Sequence, residues 1–312
     1  MTVNARGRLP VTFGYSYSVG RTVASDGIYC SLFRLCDEAS RKFLRDRRPF
    51  GAVTVTAVRD RVNSILDPSE GSLTTVALLH SSRLVGSQAP YEFNRAEAEV
   101  AKYHSIGRRT VFAWRIRGGT ILPRNISLGG QQVGYVPPDQ RFYGGGPNSV
   151  RGYGRNELGP RVYVITERDS IDVDATNEAG DTVWRGVRTA PTGGNTAIIL
   201  NAELRIPSPI LASRMRLGIF VDAGQVWERG EELVTIRGMR VTPGMGVRFS
   251  TPLGPVRIDA AYNGYPTERG PLLYQPPSPQ PLEQIRASYP PLRARKKFWQ
   301  KVVIQFAVGQ AF

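Results

Sequence analysis

Segments of strict period-two alternation, one face apolar and the other crowded with charges of both signs, constrain the fold of this 312-residue chain more than anything else in it. Residues 11–19 set Val11, Phe13, Tyr15, Tyr17 and Val19 against Thr12, Gly14, Ser16 and Ser18. Period two describes a strand with two unlike faces. Residues 198–206 oppose Ile198, Leu200, Ala202, Leu204 and Ile206 to Asn201, Glu203 and Arg205, and residues 214–222 oppose Met215, Leu217, Ile219 and Val221 to Arg214, Arg216, Phe220 and Asp222. Residues 111–117, 256–263 and 301–312 repeat the pattern, with Arg115, Arg117, Arg257 and Asp259 on the polar side. Weaker versions lie near 51–60, 72–83, 92–103 and 244–250.

These segments predict about ten strands of roughly nine to twelve residues, the length that crosses an outer-membrane hydrocarbon layer at a tilt. Strands of a soluble sandwich average about five or six. The connections take turns in length. Residues 61–70, 104–109, 207–213 and 251–254 are short, whereas 20–50, 120–194, 224–240 and 264–298 are long and rich in Gly, Pro or charge. Only the link at 84–91 breaks the rule. Up-and-down membrane barrels have short turns on one side and long loops on the other. The expected fold is therefore all-β, an antiparallel transmembrane β-barrel of the outer-membrane type. The Pro-rich stretch 271–291 reads as loop, and no domain boundary, repeat array or low-complexity tail is visible.

Composition narrows the alternatives. No apolar run reaches the about 18 residues of a membrane-spanning helix. The formal charge of +15 would attract nucleic acid or an anionic surface. Lys and Arg nevertheless recur singly, without an RNP-like, zinc-finger or basic-helix pattern, so nucleic acid is not an expected partner. Cys30 and Cys36 have no His, Asp or Glu cluster completing a metal site. A disulfide and two separate thiols both stay open, and a place in an outer loop favours the disulfide. His80 and His104 are isolated, and Glu97 and Glu99 beside Arg95 read as a charged wall. No nucleophile elbow, P-loop or Ser, His and Asp arrangement is present, so neither enzymatic chemistry nor a cofactor is expected.

One loop stands apart. Gly144-Gly145-Gly146-Pro147-Asn148-Ser149-Val150-Arg151-Gly152-Tyr153-Gly154 places an arginine among glycines in a stretch with neither helical nor strand period. Val150-Arg151-Gly152-Tyr153, with Leu158-Gly159-Pro160 after it, resembles the (V/I)RG(F/Y) loop motif of the outer-membrane-protein assembly superfamily, the BamA/TamA and two-partner-secretion transporter group. Phe220-Val221-Asp222-Ala223-Gly224 resembles that family's F-x-D-x-G strand motif. The strand Asn201 to Pro207, the hairpin at Gly244–Arg248 and Pro252–Pro255, and a terminal Phe312 like a C-terminal β-signal together with Phe306 and Val308 follow in the family's order. The resemblance covers roughly residues 50–312.

The resemblance implies a loop folded back into the lumen, with its arginine on acidic residues of the strand motifs. Parity points the same way, because Glu203 and Asp222 both fall on polar faces. A guanidinium fork meets one or two carboxylates at once. The family precedes its barrel with a signal peptide and POTRA domains and has about sixteen strands; these residues show neither, and about ten strands. The expectation is that residues 1–312 are the C-terminal part of one barrel, a natural short form being the alternative. The implied function is assembly, insertion or translocation of proteins at the bacterial outer membrane. The alternatives are a two-partner-secretion transporter and a passive porin. Implied partners are outer-membrane lipids including lipopolysaccharide, unfolded outer-membrane or secreted proteins, and periplasmic accessory proteins acting through POTRA domains.

Overall fold

The alternating segments pair into one large sheet in a computed structural model of the chain. It describes residues 2–5, 9–107, 109–128, 130–168, 184–210, 214–228, 238–252, 254–277, 279–289, 298–309 and 312. Leu253, Gln310, Ala311 and residues 169–183 of the long loop, all included in the sequence expectations, lie outside the described residues.

Strands β1 (Thr2–Ala5) and β2 (Leu9–Gly20) precede helices α1 (Asp26–Phe33) and α2 (Glu38–Arg45). After them come β3 (Arg48–Asp60), β4 (Gly71–Ser81), β5 (Phe93–Ile106) and β6 (Thr110–Pro123). The next connection holds the short strands β7 (Asn125–Leu128), β8 (Gln131–Gly134), β9 (Arg161–Ile165) and β10 (Arg188–Pro191). The sheet resumes with β11 (Thr196–Pro207), β12 (Met215–Trp227), β13 (Arg240–Thr251) and β14 (Gly254–Tyr262). Two more short strands, β15 (Gly270–Tyr274) and β16 (Glu283–Tyr289), precede β17 (Val302–Val308).

The large sheet has eleven strands in the order β1-β2-β3-β4-β5-β6-β11-β12-β13-β14-β17, every neighbouring pair antiparallel. β1 is one strand more than the alternation predicts. Among the described residues no pairing joins β1 to β17, so the sheet is not closed. Its two faces follow the sequence. Tyr15, Tyr17, Ile219, Ile304 and Phe306 are exposed on one, while Arg115, Glu203, Arg205, Asp222, Arg257 and Asp259 are buried on the other. An apolar face turned outward around a charged interior is the inverse of a soluble core, and it suits a sheet bathed in lipid. No described helix is long and apolar enough to cross a membrane.

The long connections are more ordered than alternation alone suggests. Helices α1 and α2 occupy the link from β2 to β3, and Cys30 and Cys36 within it are joined by a disulfide. The stretch 271–291 is not all loop: β15 and β16 join β10 and β9 in a four-stranded sheet of order β10-β9-β15-β16. Val162 to Ile165 are all buried, packing from both sides, so β9 carries no alternation to read. Cys30 packs with Val162, Val164, Leu273 and Leu282, which ties the helical link to this small sheet. All three connections leave the same end of the barrel strands, and together they form a cap there.

Candidate functional site: a buried arginine clamp in the lumen

Register brings the charged positions together. Asn201 pairs with Asp222 and with Arg115 across the sheet, Glu203 with Phe220, and Asp259 with Gln305. All point inward, so side chains of β6, β11, β12, β14 and β17 build one polar wall. Gly246, opposite Asp259, keeps the wall deep, because a Cβ there would collide with the Asp259 carboxylate.

Arg151 reaches this wall from the loop between β6 and β11. Its Nε and Nη2 donate to Asp222 Oδ2 and Oδ1 at 2.7 and 2.8 Å, and its backbone N–H donates to Oδ2 at 3.0 Å. Its Nη1 donates to Glu203 Oε2 at 2.7 Å and lies 3.5 Å from Asp259 Oδ2. The guanidinium also stacks 3.3 Å from the centre of the Phe220 ring. One planar cation thus takes a bidentate carboxylate, a second carboxylate and an aromatic face at once, which a lysine cannot match. Arg151, Glu203 and Asp222 have essentially no exposure.

The carboxylates have further partners. Glu203 also accepts from Arg205 Nε at 3.0 Å and from Arg248 Nε and Nη2 at 3.1 and 2.9 Å. Asp259 is paired with Arg257 and Arg248, each at 2.9 Å. Asp222 Oδ1 accepts from Asn201 Nδ2 at 2.7 Å. That amide also donates to Ser149 O, Arg115 donates to Asn148 O, and Arg257 donates to Pro147 O and Asn148. Asn263 donates to Gly152 O at 2.9 Å, and Gln305 on β17 to Tyr153 O at 2.9 Å. A buried ion cluster costs desolvation that only such dense pairing offsets. The loop backbone from Pro147 to Tyr153 is therefore held by side chains of five strands.

The sequence profile of the Omp85 superfamily domain matches residues 10–312. The chain belongs to the Omp85 superfamily. It is 29% identical over 237 residues to the outer membrane protein assembly factor BamA of Neisseria meningitidis serogroup B, covering 67% of this chain and 26% of that one. It is 26% identical over 263 residues to the BamA of Nitratidesulfovibrio vulgaris, covering 83% of this chain and 27% of that one. It thus spans about a quarter of the length of these curated relatives. A crystal structure of BamA from Haemophilus ducreyi lacking POTRA domains 1-3 aligns with a TM-score of 0.57 at 18% identity, covering 91% of this chain and 52% of that one. At that identity the likeness concerns the fold. This Omp85 chain is an integral outer-membrane β-barrel protein.

Of the residues singled out in the sequence, the Omp85 chain brings Val150, Arg151, Gly152 and Tyr153 together with Glu203, Phe220, Asp222 and Gly224. Val150 is buried with Tyr153, Leu158 and Ile199, and a Cβ on Gly224 would press on Val150. Phe306 and Val308 face outward, 70% and 68% exposed. Phe312 does not share their face. β17 ends at Val308, Gly309 takes a φ of 93°, and Phe312 turns inward to stack on Tyr103, with Arg115 and Arg205 over its ring. Strand parity extends no further than the strand, and β17 stops at Val308, short of Phe312. Asn201, Arg248, Arg257, Asp259 and Gln305 complete the clamp without having been singled out; their inward parity was the available signal. Among the described residues no group of three or more His, Cys, Asp or Glu is arranged to hold a metal ion.

Proposed function

We propose that this chain is the C-terminal part of a barrel that assembles or inserts other proteins in the outer membrane, with Arg151 latching the lumenal loop to Glu203 and Asp222. The observation that carries the reading is the burial of that loop among charged side chains of β11 to β17. A filled lumen suits a machine that works at its edges and not a passive conduit. A weakly closed seam between the first and last strands of the complete barrel would offer backbone hydrogen bonds that lipid cannot supply, so an incoming strand gains by pairing there. This action makes and breaks no covalent bond, so the chain is read as a non-enzyme acting on unfolded outer-membrane polypeptides.

The test is reconstitution of the full protein in lipid vesicles followed by addition of a urea-unfolded outer-membrane barrel. Vesicles holding the protein should convert the substrate to its heat-modifiable folded form faster than empty ones, and Arg151→Ala should lose most of the gain. Equal rates in both vesicles, together with steady ion conductance through the protein, would favour a porin instead.

A further inference from the structure

A second feature lies on the outer face, away from the clamp. Between the ridge of Val76 and Leu78 on β4 and that of Ile116 and Leu122 on β6, the outward positions are Ala96, Ala98, Gly118 and Thr120, aligned by the registers Leu78↔Ala96↔Thr120 and Val76↔Ala98↔Gly118. The result is a groove of about 310 Å³ bordered by Val53, Val55, Leu78, Ala96, Thr120 and Leu122. Its end nearest the cap is polar. The His80 ring bridges Asn94 at 2.7 Å and Ser82 at 2.9 Å. Just beyond, Arg83 and Arg124 sit at 2.9 and 2.7 Å from the two oxygens of Glu92, whose side chain is buried while both arginines stay mostly exposed.

Beside the groove a 3-10 turn, Arg83–Val85, folds over the outward positions Tyr15 and Gly51. Tyr15 Oη donates to Val85 O at 3.1 Å, and Gly51 N donates to Ser87 Oγ at 2.9 Å. Gly51 has to be glycine for this, since a Cβ would run into the Val85 carbonyl. The turn presents Leu84, 96% exposed, beside the Arg83 guanidinium. An apolar finger next to a cation is the pattern of a segment set at the boundary between acyl chains and headgroups.

We infer that this groove binds one anionic, phosphate-bearing acylated lipid of the outer leaflet, an acyl chain lying over Ala96 and Ala98 and the phosphate at Arg83 and Arg124. Three observations converge on lipid as the occupant. The groove opens on the face that lipid covers, its lining is mostly apolar below His80 and Asn94, and two exposed guanidiniums share a single carboxylate beyond that polar end, leaving a net positive charge. The inference is independent of any assembly activity.

The test uses the full protein in detergent, titrated with phosphorylated lipid A, dephosphorylated lipid A or inorganic phosphate, with adducts counted by native mass spectrometry. One phosphorylated lipid A should bind. Ala96→Phe and Thr120→Leu, which fill the groove, should each weaken it about tenfold. Arg83→Ala with Arg124→Ala should abolish the preference for the phosphorylated form. Ile219→Phe, lipid-facing elsewhere, should change nothing. Heat-modifiable migration reports folding of each variant, and two independent groove fillers keep the test decisive if one misfolds. Retention unchanged in a folded groove variant would overturn the inference. So would binding of inorganic phosphate alone.

Discussion

A methyl group on Gly152 would stand 2.6 Å from the Cβ of Thr242 and still closer to its Cγ2, so the loop backbone and the β13 wall touch with no room between them. Contacts that short cannot be absorbed by a packed wall. Gly152→Ala should therefore undock the loop, read as new protease cleavage near residue 150 in a barrel that still migrates as folded. Thr242→Gly removes both offending carbons, and the double variant should regain protection. Equal protection of the loop in wild type and Gly152→Ala would refute the argument.

Removing Arg151 leaves its two partners unequally stranded. Glu203 keeps Arg205 and Arg248, whereas Asp222 keeps chiefly the Asn201 amide. Arg151→Ala should cost about 3–5 kcal/mol, the usual penalty for breaking a buried pair. Arg151→Lys should recover only part, having no bidentate fork. Adding Asp222→Asn to Arg151→Ala should restore more stability than adding Glu203→Gln. Urea midpoints in lipid vesicles, followed by tryptophan fluorescence, give the order.

At the N-terminus of α2, the Ser40 amide donates to the Asp37 carboxylate at 2.7 Å, and this bond holds the Asp37 carboxyl below its ordinary value of 3.8. A group whose pKa is lower folded than unfolded stabilises fully above the unfolded value and loses that contribution as pH falls through the folded one. Asp37→Ala should destabilise α2 by about 1 kcal/mol at neutral pH. The gap to wild type should close as pH drops below 3.8. Hydrogen exchange of α2 amides across that range is the measurement, and a gap that stays constant would contradict it.

The disulfide between Cys30 and Cys36 closes a short loop whose chain-entropy contribution is about 2 kcal/mol. Reduction, or Cys30→Ser with Cys36→Ser, should loosen α1 from Val162, Val164 and Leu273. Limited proteolysis should then cut within residues 20–47 first, while the heat-modifiable barrel band persists.

Much of the large sheet was legible because membrane strands are long and their two faces meet unlike surroundings. Ten of its eleven strands announce themselves by alternation, and Glu203 and Asp222 by parity. β1 is only four residues long and offers too few positions to show a period. Strands β9, β10, β15 and β16 were hidden for a different reason: they are four to seven residues long and are recruited by tertiary packing, so neighbours decide their conformation. Asp259 and Arg257 were visible as charges on the polar face, but nothing in the one-dimensional pattern tells which inward charges converge at one depth of the barrel. That information resides in the register between strands.

Register also gives the loop a reading role. Gln305 sits opposite Asp259 on β17 and donates to Tyr153 O at 2.9 Å and Arg151 O at 3.4 Å. A slip of β17 by one residue against β14 would swing Gln305 to the lipid side and bring an apolar neighbour, Ile304 or Phe306, to face the loop. The loop would then lose a donor and meet a side chain that cannot replace it. A lumenal loop that seats fully only when β17 is zipped in frame would act as a gauge of that strand.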